Sequence, residues 1–164
     1  MKKRILSTLS VFIMICIVFS MAIIPTQAAD VNQQIDGSYL TNKDSAKASI
    51  YSEAVTRGTH LMDGECSITK AGKGHIYVYA STTANHDVDY ISTVIYVDQY
   101  NEETEHWGQI AYWQVEDSNT YYVSTSKMLP VDKGYFYRVH ADHAVRKNGE
   151  YEEATTATDG ILIN

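Results

Sequence analysis

Cysteine is almost missing from this chain: Cys16 and Cys66 are the two in 164 residues. Cys16 lies inside an N-terminal apolar run, so the rest of the chain holds one thiol. No disulfide forms within it, and packing alone must hold the fold. Basic charge is scarce as well. Lys and Arg number 13 against 20 Asp and Glu, and Lys2, Lys3 and Arg4 precede the apolar run. Without that segment the balance is 10 against 20, a net charge of −10. Nucleic acid and anionic membrane surfaces need clustered Lys and Arg, so neither is expected as a partner. No long helical period follows residue 60, and no His-Glu-x-x-His, cysteine pair or EF-hand loop is present.

These gaps bear on catalysis. Cys66 with His140 or His143 and Asp142 makes a triad on paper, but no strand-to-helix elbow accompanies it to activate the thiol. Cys66 is therefore expected to be a buried, inert residue. Glu102, Glu103, Glu105, Glu152 and Glu153 fall in apparent loops and hairpin ends, where a solvated charge cluster is expected rather than a glycosidase pair. The six histidines are His60, His75, His86, His106, His140 and His143. Only His86-Asp87-Val88-Asp89 and His140-Ala141-Asp142-His143 group ligand-type residues locally, and His140 and His143 face opposite sides of a strand. The expectation is no enzyme, no cofactor and no metal, with the histidines on the surface or in loops.

What is present begins with an address. Lys2, Lys3 and Arg4 are followed by an apolar run over residues 5–24, and Pro25-Thr26-Gln27-Ala28-Ala29 supplies small residues. This pattern predicts a signal peptide over residues 1–28, cleaved after Ala28, and a secreted, extracellular protein. The run reaches spanning length, so a membrane is touched only if that segment stays uncleaved. No C-terminal wall-sorting tail is recognisable. Residues 29–57 read as a polar leader holding a short helix (44–57) or an edge strand (49–52), and 58–164 as the domain.

Seven strands are expected in that domain, over residues 65–70, 75–83, 88–100, 107–115, 120–127, 134–145 and 155–163. Alternation sends Ile76, Val78 and Ala80 inward against Tyr77 and Tyr79. It does the same for Ile91, Thr93, Ile95 and Val97 against Tyr90, Tyr96 and Tyr100. In the strand from Gly134, Tyr135, Tyr137, Val139 and Ala141 face in while Phe136, Arg138, His140 and Asp142 face out. Trp107 and Trp113 share one face of their strand and Ile110 and Tyr112 the other. Asn148-Gly149 is a two-residue hairpin signal that returns 155–163 beside 134–145. The pattern predicts an all-β, antiparallel β-sandwich.

The spacing from Leu129 to Tyr135, followed by the alternating Arg138-Val139 strand, is similar to the tyrosine-corner region of fibronectin type III and other immunoglobulin-like domains. That resemblance implies a Tyr135 hydroxyl bonded to backbone just upstream. The chain also resembles small exported domains of unknown function from Gram-positive, spore-forming bacteria. Arg57-Gly58 with Leu61 and Gly64, Ser81-Thr82-Thr83-Ala84 with Val88-Asp89, the Trp107 strand, and Gly134-Tyr135-Phe136-Tyr137-Arg138-Val139 with His143 carry that likeness. It implies a secreted β-rich domain and no catalytic residues.

Thirteen tyrosines and two tryptophans against three phenylalanines make a polar-tipped aromatic set, suited to contact surfaces. The strands at 88–100 and 134–145 are neighbours in an immunoglobulin-like sandwich. Their outward residues Tyr90, Tyr96, Tyr100, Phe136, Arg138 and His140 then form one candidate binding face. The expected function is a secreted, non-enzymatic binding or adhesion module for a glycan, cell-wall polymer or protein. The alternative is a structural protein that forms homo-oligomers through the same face or a sheet edge.

Overall fold

The computed structural model describes residues 31–50 and 58–164. The expected signal segment and residues 51–57 lie outside them. The described residues form β1 (Gln34–Ile35), β2 (Ser38–Thr41), β3 (Ser45–Ser49), β4 (Leu61–Lys70), β5 (His75–Val88) and β6 (Tyr90–Asn101). They continue as β7 (His106–Asp117), β8 (Thr120–Pro130), β9 (Tyr135–Lys147), β10 (Glu150–Ala157) and β11 (Gly160–Ile163). The larger sheet runs β1-β2-β11-β9-β6-β7, with β10 also on β9, and the smaller runs β3-β4-β5-β8. Pairing is antiparallel apart from β11 on β2. No helix of the described residues is long and apolar enough to cross a membrane.

The core sits between the sheets, where the alternation put it. Ile76, Val78, Ala80, Ile95, Val97, Val139 and Ala141 are fully buried and pack with Cys66, Ile68 and Tyr137. Each large aliphatic side chain removed from water contributes about 1.5–3 kcal/mol, so truncating Ile95 to Ala would cost about 2–5 kcal/mol.

Asn148 and Gly149 both have positive φ, 51° and 88°, the requirement of a two-residue I′ turn. The chain then returns along β9 as β10 and β11. Its register slips by one residue between Ala157↔His140 and Ile161↔Tyr137. Thr158 holds the slip: Val139 N–H donates to its hydroxyl at 3.0 Å, and its own N–H donates to the Val139 carbonyl at 2.9 Å.

Three expectations are corrected. Residues 34–49, read as part of a polar leader, supply β1, β2 and β3. These strands are two to five residues long and have only Ile35 and Leu40 as large buried anchors, so their composition stays polar. Second, Trp107 and Trp113 do not share a face. β7 carries one extra residue, Ile110, between Ala111↔Val97 and Gln109↔Asp98. A one-residue bulge flips strand parity, so Trp113 packs on the core while Trp107 lies on the outer side against Tyr100. Third, the hydroxyl-to-backbone bond expected of Tyr135 is made by Tyr137, which donates to the Asp132 carbonyl at 2.9 Å. Tyr137 is 1% exposed, whereas Tyr135, expected inside, is 44% exposed.

Candidate binding surface

Strand register lays out the outer face of the larger sheet in rows that cross β7, β6 and β9 and end on β11 or β10. The first row holds Trp107, Tyr100, Phe136 and Leu162, and the second Asp98 and Arg138. Tyr112, Tyr96 and His140 follow, then Gln114, Val94, Asp142 and Thr155. Glu116, Ser92, Ala144 and Glu153 come next, and Tyr90, Arg146 and Tyr151 end the series.

The first two rows are covered. The β1–β2 hairpin sets Ile35 and Leu40 against Tyr100 and Phe136. Trp107 Nε1 donates to the Ile35 carbonyl at 3.1 Å. Arg138 is held through two of its nitrogens: Nε donates to Asp98 Oδ2 at 3.0 Å, and Nη1 donates to the Asp36 carbonyl and the Ser38 hydroxyl. Its guanidinium lies 4.6 Å over the Trp107 ring. Burial alone would raise the Asp98 carboxyl, but His140 and then Arg138 outweigh it and hold it below the usual carboxylate range.

Among the described residues no strand covers the remaining rows, although the small Ser92 and Ala144 are buried within them. Tyr96 stacks on His140 with centroids 4.5 Å apart and planes 7° from parallel, and on Tyr112 at 6.3 Å and 21°. Tyr112, on the edge strand, is 68% exposed. His140 Nδ1 meets Asp98 Oδ2 at 3.0 Å, which fixes the ring against its covered neighbour. Burial, and then the Asp142 charge, raise the Tyr96 hydroxyl, so the ring stays neutral. Farther along, Tyr90 donates to Glu116 at 2.9 Å, Gln114 donates to both, and Arg146 lies over the Tyr90 ring.

The six residues expected to form one face therefore divide. Tyr90, Tyr96 and His140 lie together on the open part. Arg138 is on the same side of the sheet but locked beneath the hairpin. Tyr100 and Phe136 also point outward, yet at 2% and 3% exposure they present no free surface. Tyr112, Gln114, Asp142 and Tyr151 complete the open part and were not among the expected six.

Beneath it, on the inner side, lies a polar inclusion in the core. His143 is fully buried with Nδ1 2.9 Å from the Thr82 hydroxyl and Nε2 2.8 Å from that of Thr156. Thr82 also bonds Thr93 and the Ser92 carbonyl, and Thr156 meets Cys66 Sγ at 3.3 Å. Gly64 leaves the space for the ring, since a Cβ there would stand 2.3 Å from His143 Cγ. Burial holds the imidazole neutral, its pKa lowered to about 4. The same cause pushes the Cys66 thiol up to about 11, against a hydrogen bond from Thr156. A fully buried, protonated thiol is not the nucleophile that the paper triad requires. His143 is likewise no surface or loop histidine.

An open depression of about 920 Å³ lies at the β6–β7 and β8–β9 turns, lined by Gln99, Glu102, Glu103, Ile110, Asp132 and Tyr135 among others. Its lining comes from the ends of β6, β7 and β9 and the adjoining turns, and includes no member of the Tyr112–Tyr96–His140 row.

A family model matches residues 29–161. The chain belongs to DUF6147, a family of unknown function. The DUF6147 match runs from before β1 to the middle of β11, so the covering hairpin lies within the family's span. No curated protein and no solved structure matches the chain.

Proposed function

We propose that this protein is an exported, non-enzymatic binding module that receives a glycan strand across the open half of the larger sheet. The observation that carries the reading is the Tyr112–Tyr96–His140 row, three rings side by side on a rigid sheet, with the outermost largely exposed. Contiguous exposed aromatic area on a domain of this size favours an interaction surface, and tyrosine gives contact area at small entropic cost. Sugar rings combine an apolar C–H face with a rim of hydroxyls. The aromatic row suits the first, and the adjoining Gln114, Asp142 and Thr155 suit the second. Four strands at about 4.8 Å spacing make a platform about 19 Å wide, so a chain lying across the strands would meet every row member. Asp142, Glu116 and Glu153 against Arg146 alone disfavour a polyanion.

The basic and apolar N-terminal segment supports export. The order β4-β5-β8 facing β10-β9-β6-β7, with the Tyr137 corner bond, supports a fibronectin-type-III-like arrangement.

Amide chemical shifts of the isotopically labelled protein, titrated with chito- and cello-oligosaccharides, test the function. Perturbations should concentrate on β6, β7 and β9 around Tyr96, Tyr112 and His140, and Tyr112→Ala should abolish them. Perturbations confined to the turn-end depression would reject the open half as the site, and silence with every sugar would reject the glycan.

A further inference from the structure

At the opposite end of the sandwich from the covering hairpin, the start of β4 and the end of β5 bring together two histidines that lie 26 residues apart in sequence. His60 Nδ1 and His86 Nε2 are 3.1 Å apart, with the two ring planes perpendicular and their centroids separated by 5.1 Å. The other His60 nitrogen, Nε2, meets the Glu150 carboxylate at 3.1 Å. We propose that His60 and His86 form a two-nitrogen site for a divalent transition metal such as Zn²⁺ or Ni²⁺, with Glu150 orienting His60 from behind.

The spacing suits a metal. An ion at about 2.0–2.1 Å from both nitrogens would subtend an N–metal–N angle of about 100°, between the tetrahedral angle and a right angle. Imidazole is also the side chain that zinc, nickel and copper take most readily after thiolate. The Glu150 contact is the arrangement that metal-bound histidines use elsewhere, in which a carboxylate on the remote nitrogen fixes the tautomer and raises ligand basicity.

The frame around the pair is rigid. The Glu152 carboxylate accepts the N–H groups of Thr59, His60 and Leu61 at 2.8, 2.9 and 2.6 Å. Gly58 fits beside it, since a Cβ there would collide with that carboxylate. Asn85, next to His86, donates its N–H to the His60 carbonyl at 2.8 Å, and its side chain donates to the Gly58 and Thr59 carbonyls. Both histidines are thus held by one cross-linked stretch of backbone. His60 is 8% exposed while His86 is exposed, so an ion can reach the pair from the His86 side. Among the described residues no three His, Cys, Asp or Glu side chains form a metal-holding group. The proposed site therefore has two protein ligands and leaves its other positions to water, which makes it weak and exchangeable.

Calorimetric titration of the chain with Zn²⁺, and separately Ni²⁺, in a non-chelating buffer tests this. One equivalent should bind in the micromolar range, with the His60 and His86 imidazole signals leading the response by NMR. His86→Gln should weaken binding at least tenfold, and Glu150→Gln about tenfold, the lower end for loss of an outer carboxylate. His75→Ala, which alters an exposed histidine elsewhere, should change nothing. His86 and Glu150 are both exposed, so unchanged thermal midpoints without metal will show that the variants are folded. Failure to saturate at millimolar metal, or equal affinity in His86→Gln, would overturn the site. Equal affinity in Glu150→Gln would overturn the role given to that carboxylate.

Discussion

The two halves of one sheet face make an instructive pair. Both present outward-pointing aromatic and charged residues from β6, β7 and β9. In one half, Tyr100, Phe136, Trp107 and Arg138 are roofed by the β1–β2 hairpin and have become a second small core. In the other, Tyr112, Tyr96 and His140 have no such roof among the described residues. The same pattern of alternation thus yields a packed surface or an open one, depending on a two-strand element far away in sequence. Outward on a strand is not the same as exposed.

The sharpest way to break the contrast is to disturb the roofed half. Arg138→Ala would leave the Asp98 carboxylate buried with His140 alone. Removing one partner of a buried pair costs about 3–5 kcal/mol, and urea denaturation should show a loss of that size. A loss below 1 kcal/mol would mean that the hairpin opens in solution and Arg138 is a surface residue after all.

A second test probes beneath the open half. The His143 pKa is about 4 in the fold, against about 6.5 in an unfolded chain. The unfolded state binds the proton first, so the stabilising preference for the neutral ring is complete above pH 6.5 and is lost as pH falls towards 4. The full effect is about 3 kcal/mol. Between pH 6.5 and 4, wild type should lose stability more steeply than His143→Gln. Parallel curves would show that the ring is hydrated.

A smaller effect separates two neighbouring tyrosines. Tyr137→Phe should cost about 1 kcal/mol by deleting the bond to Asp132, and Tyr135→Phe less than about 0.5 kcal/mol. The reverse order would return the corner to Tyr135. Smallest in stability is Tyr112→Ala, expected to change the unfolding free energy by no more than about 0.5 kcal/mol while removing glycan binding. If it destabilises the fold severely, the open half is not open.

The sheet core was readable because its strands are long and strictly alternating, as in Ile91, Thr93, Ile95 and Val97. The Asn148-Gly149 turn was readable because only such residues accept its backbone. Three features were not. β1 to β3 gain their pairing from main chain and two apolar anchors, which leaves little trace in composition. Ile110 reverses the parity of β7, and nothing in Gln109-Ile110-Ala111 distinguishes a bulge from continuous strand. Continuous alternation opposes Tyr112 to both Trp107 and Trp113, whereas the bulge puts it on the outer side with Trp107, opposite Tyr96. The burial of His143 leaves no local trace, because its partners Thr82 and Thr156 come from two other strands, β5 and β10. The proximity of His60 and His86 likewise depends on β4 and β5 pairing across a register shift.

One pairing in the larger sheet bears on how the molecule would behave under tension. β2 runs parallel to β11 through Gly160↔Leu40 and Ile161↔Thr41, reinforced by the Thr41 hydroxyl donating to the Gly160 carbonyl at 2.8 Å. A pull on the chain entering β2, opposed by one on the chain leaving β11, would load these bonds in shear, all at once. Antiparallel strands pulled from a shared end instead peel apart bond by bond. Resistance to force depends on the unfolding barrier and not on equilibrium stability, so this short parallel seam would set how long the roof stays shut when the protein is stretched.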